Sequence, residues 1–351
     1  MTLQELGYNT WFEEHAALQN TKGCAIARIT AVDRGFCLVR DALREVPAEL
    51  SGRMSFGIDS PEQLPCVGDW ALVRHCNNDT FAIIVGLLPR RTFLRRRAPG
   101  AGAGCQMIAA NIDLALIVQS CQFDFNPNRL ERYLVMALDG GVEPLVLLTK
   151  TDLVPEEEVE RKLGVLRALA RGKAMSLSNV TGSGLDELRQ LLAPGQTCCL
   201  LGSSGVGKTT LVNRLMGRDV FGTQTVSGTG EGRHTTTRRQ LCTLQGGALL
   251  VDTPGMRELG IVGAEEGLEA GFEDIAALSA QCRYADCRHG NEPGCAVRAA
   301  IERGELARER FAHHLKLRKE SEYNALSALD KRRKDKTFGR LVKAVKKHMR
   351  D

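Results

Sequence analysis

Apolar positions fall into three textures along the 351-residue chain. Between Cys24 and about Pro89, short alternating or apolar runs (CAIARITAV, GFCLVR, DWALVRH, TFAIIVGLL) are broken by turn residues. Runs of this length and spacing predict a small all-β unit. Its size suits a five-stranded OB-like barrel, a pattern that several other small β folds share. From Ile112, continuous apolar runs (IDLALIVQS, EPLVLLTK, TCCLLG, GALLVDTPG) alternate with helix-period stretches (NRLERYLVMAL, EEEVERKLGVLRALA, GLDELRQLL, KTTLVNRLM). Strands that are apolar on both faces and separated by helices predict a mostly parallel α/β sheet. Beyond about Ile261 only helical and metal-site patterns remain. The expected organisation is an N-terminal extension over 1–20, the barrel over 21–97, a linker over 98–110, the α/β domain over 111–262 and a helical domain over 263–351.

At 43% hydrophobic and 25% charged, the composition is that of a soluble globular protein. No apolar run reaches the length of a membrane span. The N-terminal stretch MTLQELGYNTWFEEH lacks the basic-then-apolar pattern of a secretory leader, so a cytoplasmic protein is expected. The net charge of +5 is uneven: residues 331–350 hold ten Lys or Arg against the single acid Asp335. Such a tail is either a polyanion contact or a solvated helix end. The segment RRTFLRRRAPGAGAG reads as a linker with a positive rim, or simply as a soluble hinge.

Gly202-Ser203-Ser204-Gly205-Val206-Gly207-Lys208-Thr209 fits G-x-x-x-x-G-K-[ST] between an apolar strand and a helix that runs on through Thr210. Glycines let the backbone wrap so that its N–H groups point at phosphate oxygens. Lys208 supplies charge for the β- and γ-phosphates, and the Thr209 hydroxyl is placed for Mg²⁺. Asp252-Thr253-Pro254-Gly255 ends another apolar strand and fits D-x-x-G, with Asp252 toward Mg²⁺ through water and the Gly255 N–H toward the γ-phosphate.

Thr149-Lys150-Thr151-Asp152 also closes a buried strand and fits [NT]-K-x-D. Asp152 can accept from the N1–H and exocyclic amine of guanine, which adenine does not offer in that arrangement, so GTP or GDP is expected over ATP. Ser178-Asn179-Val180-Thr181-Gly182 stands where a second base-contacting loop, led by Ser178, would fall; a plain helix-entry turn fits equally. The polar segment TQTVSGTGEGRHTTTRR occupies the place of a switch loop, with Thr237 the first choice for completing the Mg²⁺ shell. The base-reading motifs precede the phosphate loop, so one site forms only if the chain is circularly permuted.

Of the twelve cysteines, nine are scattered and read as buried small side chains. Cys282, Cys287, His289 and Cys295 instead have the spacing of a closed tetrahedral structural Zn²⁺ site, the alternative being buried thiols beside a surface histidine.

With these motifs in place, the chain resembles the bacterial ribosome small-subunit-dependent GTPase A family (RsgA, also called YjeQ) over nearly its whole length. The resemblance rests on the barrel, the permuted order, the RHTTT segment and the Cys/Cys/His/Cys site followed by EPGCAVRAAIERGEL. It implies a late-acting assembly GTPase that binds the 30S subunit and its 16S rRNA, is stimulated by the subunit, and promotes release of maturation factors. RNA contact is expected from the barrel, the Arg90–Arg97 run and the basic tail, with the protein acting as a monomer. The family's common Asn is Thr149 here, which keeps Asp152 and is expected to weaken the loop's anchoring; its Ser-Ala is Ser178-Asn179. Gly205 stands where some potassium-activated GTPases carry Asn. Met256 follows DTPG where many GTPases place a water-orienting glutamine, so slow intrinsic hydrolysis is expected. His234 is the candidate for bringing the attacking water into line, its other reading being a solvated or RNA-contacting loop residue. A nucleotide-gated RNA-binding scaffold and a metal-delivery GTPase are the competing classes.

Overall fold

The alternating runs before Pro89 fold into a closed barrel. In the computed structural model, which describes residues 1–19, 22–33, 35–98, 104–122, 124–218, 239–252, 260–326 and 330, helix α1 (Thr10–Ala17) leads into β1 (Ala25–Val32), β2 (Cys37–Arg40), β3 (Glu45–Leu50), the short α2 (Gly52–Phe56), β4 (Trp70–Cys76) and β5 (Phe81–Leu87). The strand order is β1-β2-β3-β5-β4, with β4 closing back on β1 and only β3–β5 parallel. Period-two alternation sends Ala27, Ile29, Val39, Ala48, Ala71, Val73, Ala82 and Ile84 inward. Small side chains dominate because the lumen of so narrow a barrel leaves little room. Below it, Tyr8, Phe12 and Ala16 pack against the fully buried Trp70, which fixes α1 to the barrel.

A two-stranded sheet of β6 (Phe93–Arg97) and β7 (Cys105–Ala110) follows. Part of the expected linker is therefore a strand: Ile108, Ala109 and Ala110 are fully buried, and the neighbouring Gly/Ala run hid that signal in the sequence. The arginine run read as an RNA contact is also partly committed within the fold. Arg90 grips the buried Asp69 carboxylate with two hydrogen bonds of 2.7 and 2.8 Å, and Arg91 pairs with Asp113.

The α/β domain comprises β8 (Leu114–Ser120), α3 (Pro127–Asp139), β9 (Glu143–Thr149), α4 (Glu156–Leu169), β10 (Ala174–Ser176), α5 (Leu185–Leu191), β11 (Thr197–Leu201), α6 (Lys208–Met216), β12 (Gln240–Thr243) and β13 (Leu249–Asp252). Its strands lie in the order β10-β9-β8-β11-β13-β12, parallel except for the final antiparallel pair. One apolar layer sets Leu130, Leu134, Leu163 and Leu166 against Ile117 and Leu148; the other sets Leu188, Leu211 and Leu215 against Leu116, Leu200 and Leu250. β8 and β11 are adjacent in space yet far apart in the chain, which places the carboxyl ends of both at a crevice.

Barrel and α/β sheet are joined: β1 pairs antiparallel with β12 at Ala31 and Gln240, making eleven continuous strands. The junction is held by Arg28, 1% exposed, whose guanidinium donates to the carbonyls of Leu6, Gly68 (3.3 Å) and Asn111 (3.1 Å). Burial lowers its pKa to about 10, which still leaves it protonated at neutral pH. Replacing Arg28 by Met removes that donor from all three carbonyls and should destabilise the fold by about 3 kcal/mol. Denaturant melts test this; a loss under about 0.5 kcal/mol would mean that Arg28 is not holding the junction.

The barrel and α/β domain form one unit, Met1–Leu94 with Met107–Leu259; Arg95–Gln106 groups with Gly260–Asp351 in a second. In the second unit, α7 (Glu265–Gly271), α8 (Glu273–Ser279), α9 (Ala296–Glu302) and α10 (Arg308–Ala325) bury Phe272, Ile275, Val297, Ala300, Leu306, Phe311 and Leu317. Arg310 bridges α10 to Asp274 at 2.6 Å and lies over the Phe272 ring. The basic tail, residues 331–350, lies outside the described residues. Among the described residues, no helix is long and apolar enough to cross a membrane.

Candidate functional site

Sequence chemistry dictates the loop after β11. Gly202, Gly205 and Gly207 have φ of +145°, +79° and +95°, a region that side chains rarely adopt. A Cβ on Gly202 would also lie 2.5 Å from the Val118 carbonyl. The loop therefore curls tightly from Gly202 to Gly207, which caps α6, with Lys208, Thr209 and Thr210 in that helix's first turn. Lys208 Nζ donates to the Gly202 carbonyl at 2.8 Å and to that of Ser203. Its charge is thus held inside the loop, where phosphate oxygens would be cradled by backbone N–H groups and the helix terminus.

The base-reading candidates converge on this loop from β9 and β10, which lie beyond β8 in the sheet. Thr149, fully buried at the end of β9, donates from Oγ1 to the Val206 carbonyl at 2.6 Å. Lys150 takes φ +60°, turning the chain so that Thr151 and Asp152 begin a short 3₁₀ turn. Ser178, 1% exposed, donates to Asp152 Oδ1 at 2.5 Å while its oxygen accepts from the N–H groups of Val180 and Thr181. Those two acceptances fix the hydroxyl as a donor toward the carboxylate. The structure thus brings Thr149, Asp152, Ser178 and the phosphate loop into one place, with Thr149 tying the end of β9 to that loop.

Several contacts had no motif to announce them. Asn179 donates from Nδ2 to the Gly207 carbonyl at 3.1 Å. Ser203 donates to Asp124, which is clamped in turn by Arg129. The buried Lys162 pairs with Glu158 at 2.5 Å and supports the chain after β8 through the Cys121 carbonyl. Asp252 is the last residue of β13. His234, Thr237 and Gly255 lie outside the described residues.

In the second unit, Cys282, Cys287, His289 and Cys295 present ligand atoms all within 4.8 Å of one another. His289 Nδ1 is 3.6 Å from Cys282 Sγ and 3.5 Å from Cys295 Sγ, and the two sulfurs are 3.9 Å apart. Ligands around a tetrahedral zinc, with bonds of about 2.3 Å to sulfur and about 2.05 Å to nitrogen, are separated by about 3.5–3.8 Å. Cys282, His289 and Cys295 therefore stand close to the spacing of metal ligands, with the Cys287 sulfur within 4.8 Å of them. His289 Nε2 meets Ser279 Oγ at 3.1 Å, which leaves Nδ1 for the metal. Burial, aided by the charge of Arg318, holds the imidazole below its ordinary pKa and so neutral. Burial raises the Cys282 thiol, but the N–H groups of Val297 and Ala296 outweigh it and favour thiolate.

Strand order decides the class: the guanine-type loops follow β9 and β10, which precede the phosphate-loop strand β11 in the chain yet lie in the same parallel sheet just beyond β8, as in a circularly permuted P-loop GTPase. Residues 87–262 match the RsgA GTPase family. The chain is 40% identical over 343 residues to small ribosomal subunit biogenesis GTPase RsgA 2 of Lactiplantibacillus plantarum, covering 97% of this chain and 96% of that protein. It is 49% identical over 257 residues to the RsgA of Xanthomonas campestris pv. campestris, covering 72% and 69%. Crystal structures of YjeQ from Thermotoga maritima and of YloQ, described as a circularly permuted GTPase, superpose with TM-scores of 0.63 and 0.58 at 25% identity; each covers 84% of this chain, and 97% and 93% of the respective structures are matched. The chain belongs to the RsgA GTPase family.

Proposed function

We propose that this protein is a cytoplasmic GTP hydrolase acting in late maturation of the small ribosomal subunit, binding its 16S rRNA as a monomer and coupling nucleotide state to release of assembly factors. The observation that carries the nucleotide reading is the Ser178–Asp152 contact, a carboxylate pre-oriented beside the phosphate loop. The names of the relatives support the ribosomal role.

In this reading, residues 202–210 bind the phosphates, Thr149 to Asp152 with Ser178 read the base, Asp252 faces Mg²⁺ through water and the Gly255 N–H responds to the γ-phosphate. Thr209 and Thr237 hold Mg²⁺, which supplies charge neutralisation on the β- and γ-oxygens. Lys208 adds positive charge where negative charge develops, and the enclosing N–H groups orient the phosphates for in-line attack. His234 orients the attacking water once the subunit docks. Cys282, Cys287, His289 and Cys295 hold one structural Zn²⁺ with no open position for catalysis.

GTP turnover measured with and without purified 30S subunits, with 50S subunits and ATP as controls, tests the proposal. A rise of tenfold or more is expected for GTP with 30S alone. Tight 30S binding without a rise would make the nucleotide a gate for RNA binding and remove the enzyme reading. In the same assay, His234→Ala with unchanged stimulated turnover and binding would remove His234 from the mechanism.

A further inference from the structure

Two side chains from different base loops meet two consecutive carbonyls of the phosphate loop. Thr149 Oγ1 lies 2.6 Å from the Val206 carbonyl, and Asn179 Nδ2 lies 3.1 Å from the Gly207 carbonyl. Both donors are buried, at 0% and 7% exposure. They converge closely enough that a Cβ on Gly207 would sit 3.0 Å from Asn179 Nδ2 and 4.0 Å from Thr149 Oγ1. Asn179 is itself fixed from the far side, because Arg214 of α6 donates to its carbonyl at 3.0 Å. The Thr149 hydroxyl has one hydrogen and two acceptors in reach, Val206 and, at 3.1 Å, Gln119. It can serve one of them well. A carboxamide carries two N–H bonds and could serve both.

From this geometry we infer that Asn179 is a positioning residue for nucleotide binding: with Thr149 it forms a split clamp that joins the base loops to the phosphate loop, each supplying one of the two donors. The inference deepens the guanine-nucleotide reading above and rests on it. The clamp ties base recognition to phosphate-loop shape, since movement of the loop carrying Ser178 and Asn179 pulls directly on Gly207, the residue that caps α6. Removing Asn179 leaves the Gly207 carbonyl with its helical partner alone, the Leu211 N–H at 2.9 Å, and the lost tie falls on the conformation that cradles phosphate.

The test uses the full-length protein and a fluorescent GDP analogue, reading affinity and off-rate, with melting temperature of the nucleotide-free protein alongside. Asn179→Ala should weaken binding about tenfold and speed release correspondingly. Adding Thr149→Asn should leave the loss in place, because its second amide hydrogen serves the Gln119 carbonyl and not that of Gly207. Asn179→Asp keeps the shape but turns an acceptor toward the Gly207 carbonyl, so it should bind at least as weakly as the alanine variant. It also serves if Asn179→Ala fails to fold. Binding by both Asn179 variants within about twofold of wild type, or a loss that Thr149→Asn fully repairs, overturns the clamp. Wild-type protein that binds ADP as well as GDP, or neither, refutes the guanine-nucleotide reading itself and takes the clamp with it.

Discussion

Replacing Asp152 by Asn should lower affinity for GTP by roughly 10²- to 10⁴-fold and transfer the preference to xanthosine triphosphate. Ser178 sets the orientation of the carboxylate. Its hydroxyl oxygen is occupied by the N–H groups of Val180 and Thr181, so its one hydrogen is directed at Asp152 Oδ1, 2.5 Å away. An asparagine here must place its oxygen toward Ser178, which leaves its NH₂ on the arm that faces the base. Guanine presents two donors there, N1–H and the 2-amino group; the variant meets them with a donor and loses two charge-assisted bonds worth about 1.5–3 kcal/mol each. Xanthine presents a carbonyl at C2, which the new NH₂ satisfies. Competition among GTP, xanthosine triphosphate and ATP reads the outcome. A variant that still prefers GTP over xanthosine triphosphate would mean that Asp152 does not contact the base.

Residues whose chemistry needs a fixed local spacing were legible before the fold was known. A loop that wraps phosphate requires glycines where φ is positive, and Gly202, Gly205 and Gly207 take such angles. A four-ligand metal site in a short loop requires close sequence spacing, and Cys282 to Cys295 is close. Contacts made between strands carry no such signature. Asn179 looks like any loop asparagine until β10 is laid beside β9 and its amide reaches Gly207. Asp124 and Arg129 precede α3 or open it, and only the adjacency of β8 and β11 brings Asp124 to Ser203. The pairing of β1 with β12 was invisible for the same reason, since an edge strand does not record its partner. Composition reports charge and not its use: within the arginine run, Arg90 is committed to Asp69 in the interior.

The same local spacing leads to the expectation that the second unit depends on a metal held by Cys282, Cys287, His289 and Cys295. Removing it should unfold much of residues 260–326 while leaving the barrel and α/β unit able to bind GDP. The four ligands lie between α8 and α9, in a segment with almost no regular structure, and Cys295 and His289 are buried at 6% and 9% exposure. Without an ion, the Cys282 and Cys295 sulfurs, 3.9 Å apart, lose the charge that makes it favourable to gather them as thiolates. The helical core beside them rests on few large side chains, chiefly Phe272, Ile275, Phe311 and Leu317. A structural zinc in such a setting contributes about 10–16 kcal/mol of apparent binding free energy, more than so small a core supplies by itself. Cys295→Ser should therefore abolish metal binding, as should exhaustive chelation under reducing conditions. Either treatment should remove one equivalent of zinc, erase a distinct portion of the helical circular dichroism, and leave fluorescent GDP binding within about threefold of the untreated protein. Metal content that stays at one equivalent through GTP binding, hydrolysis and GDP release would exclude a metal-delivery role. Metal-free protein that keeps both its full helical signal and its melting profile would show that the Cys282–Cys295 cluster does not hold this unit together.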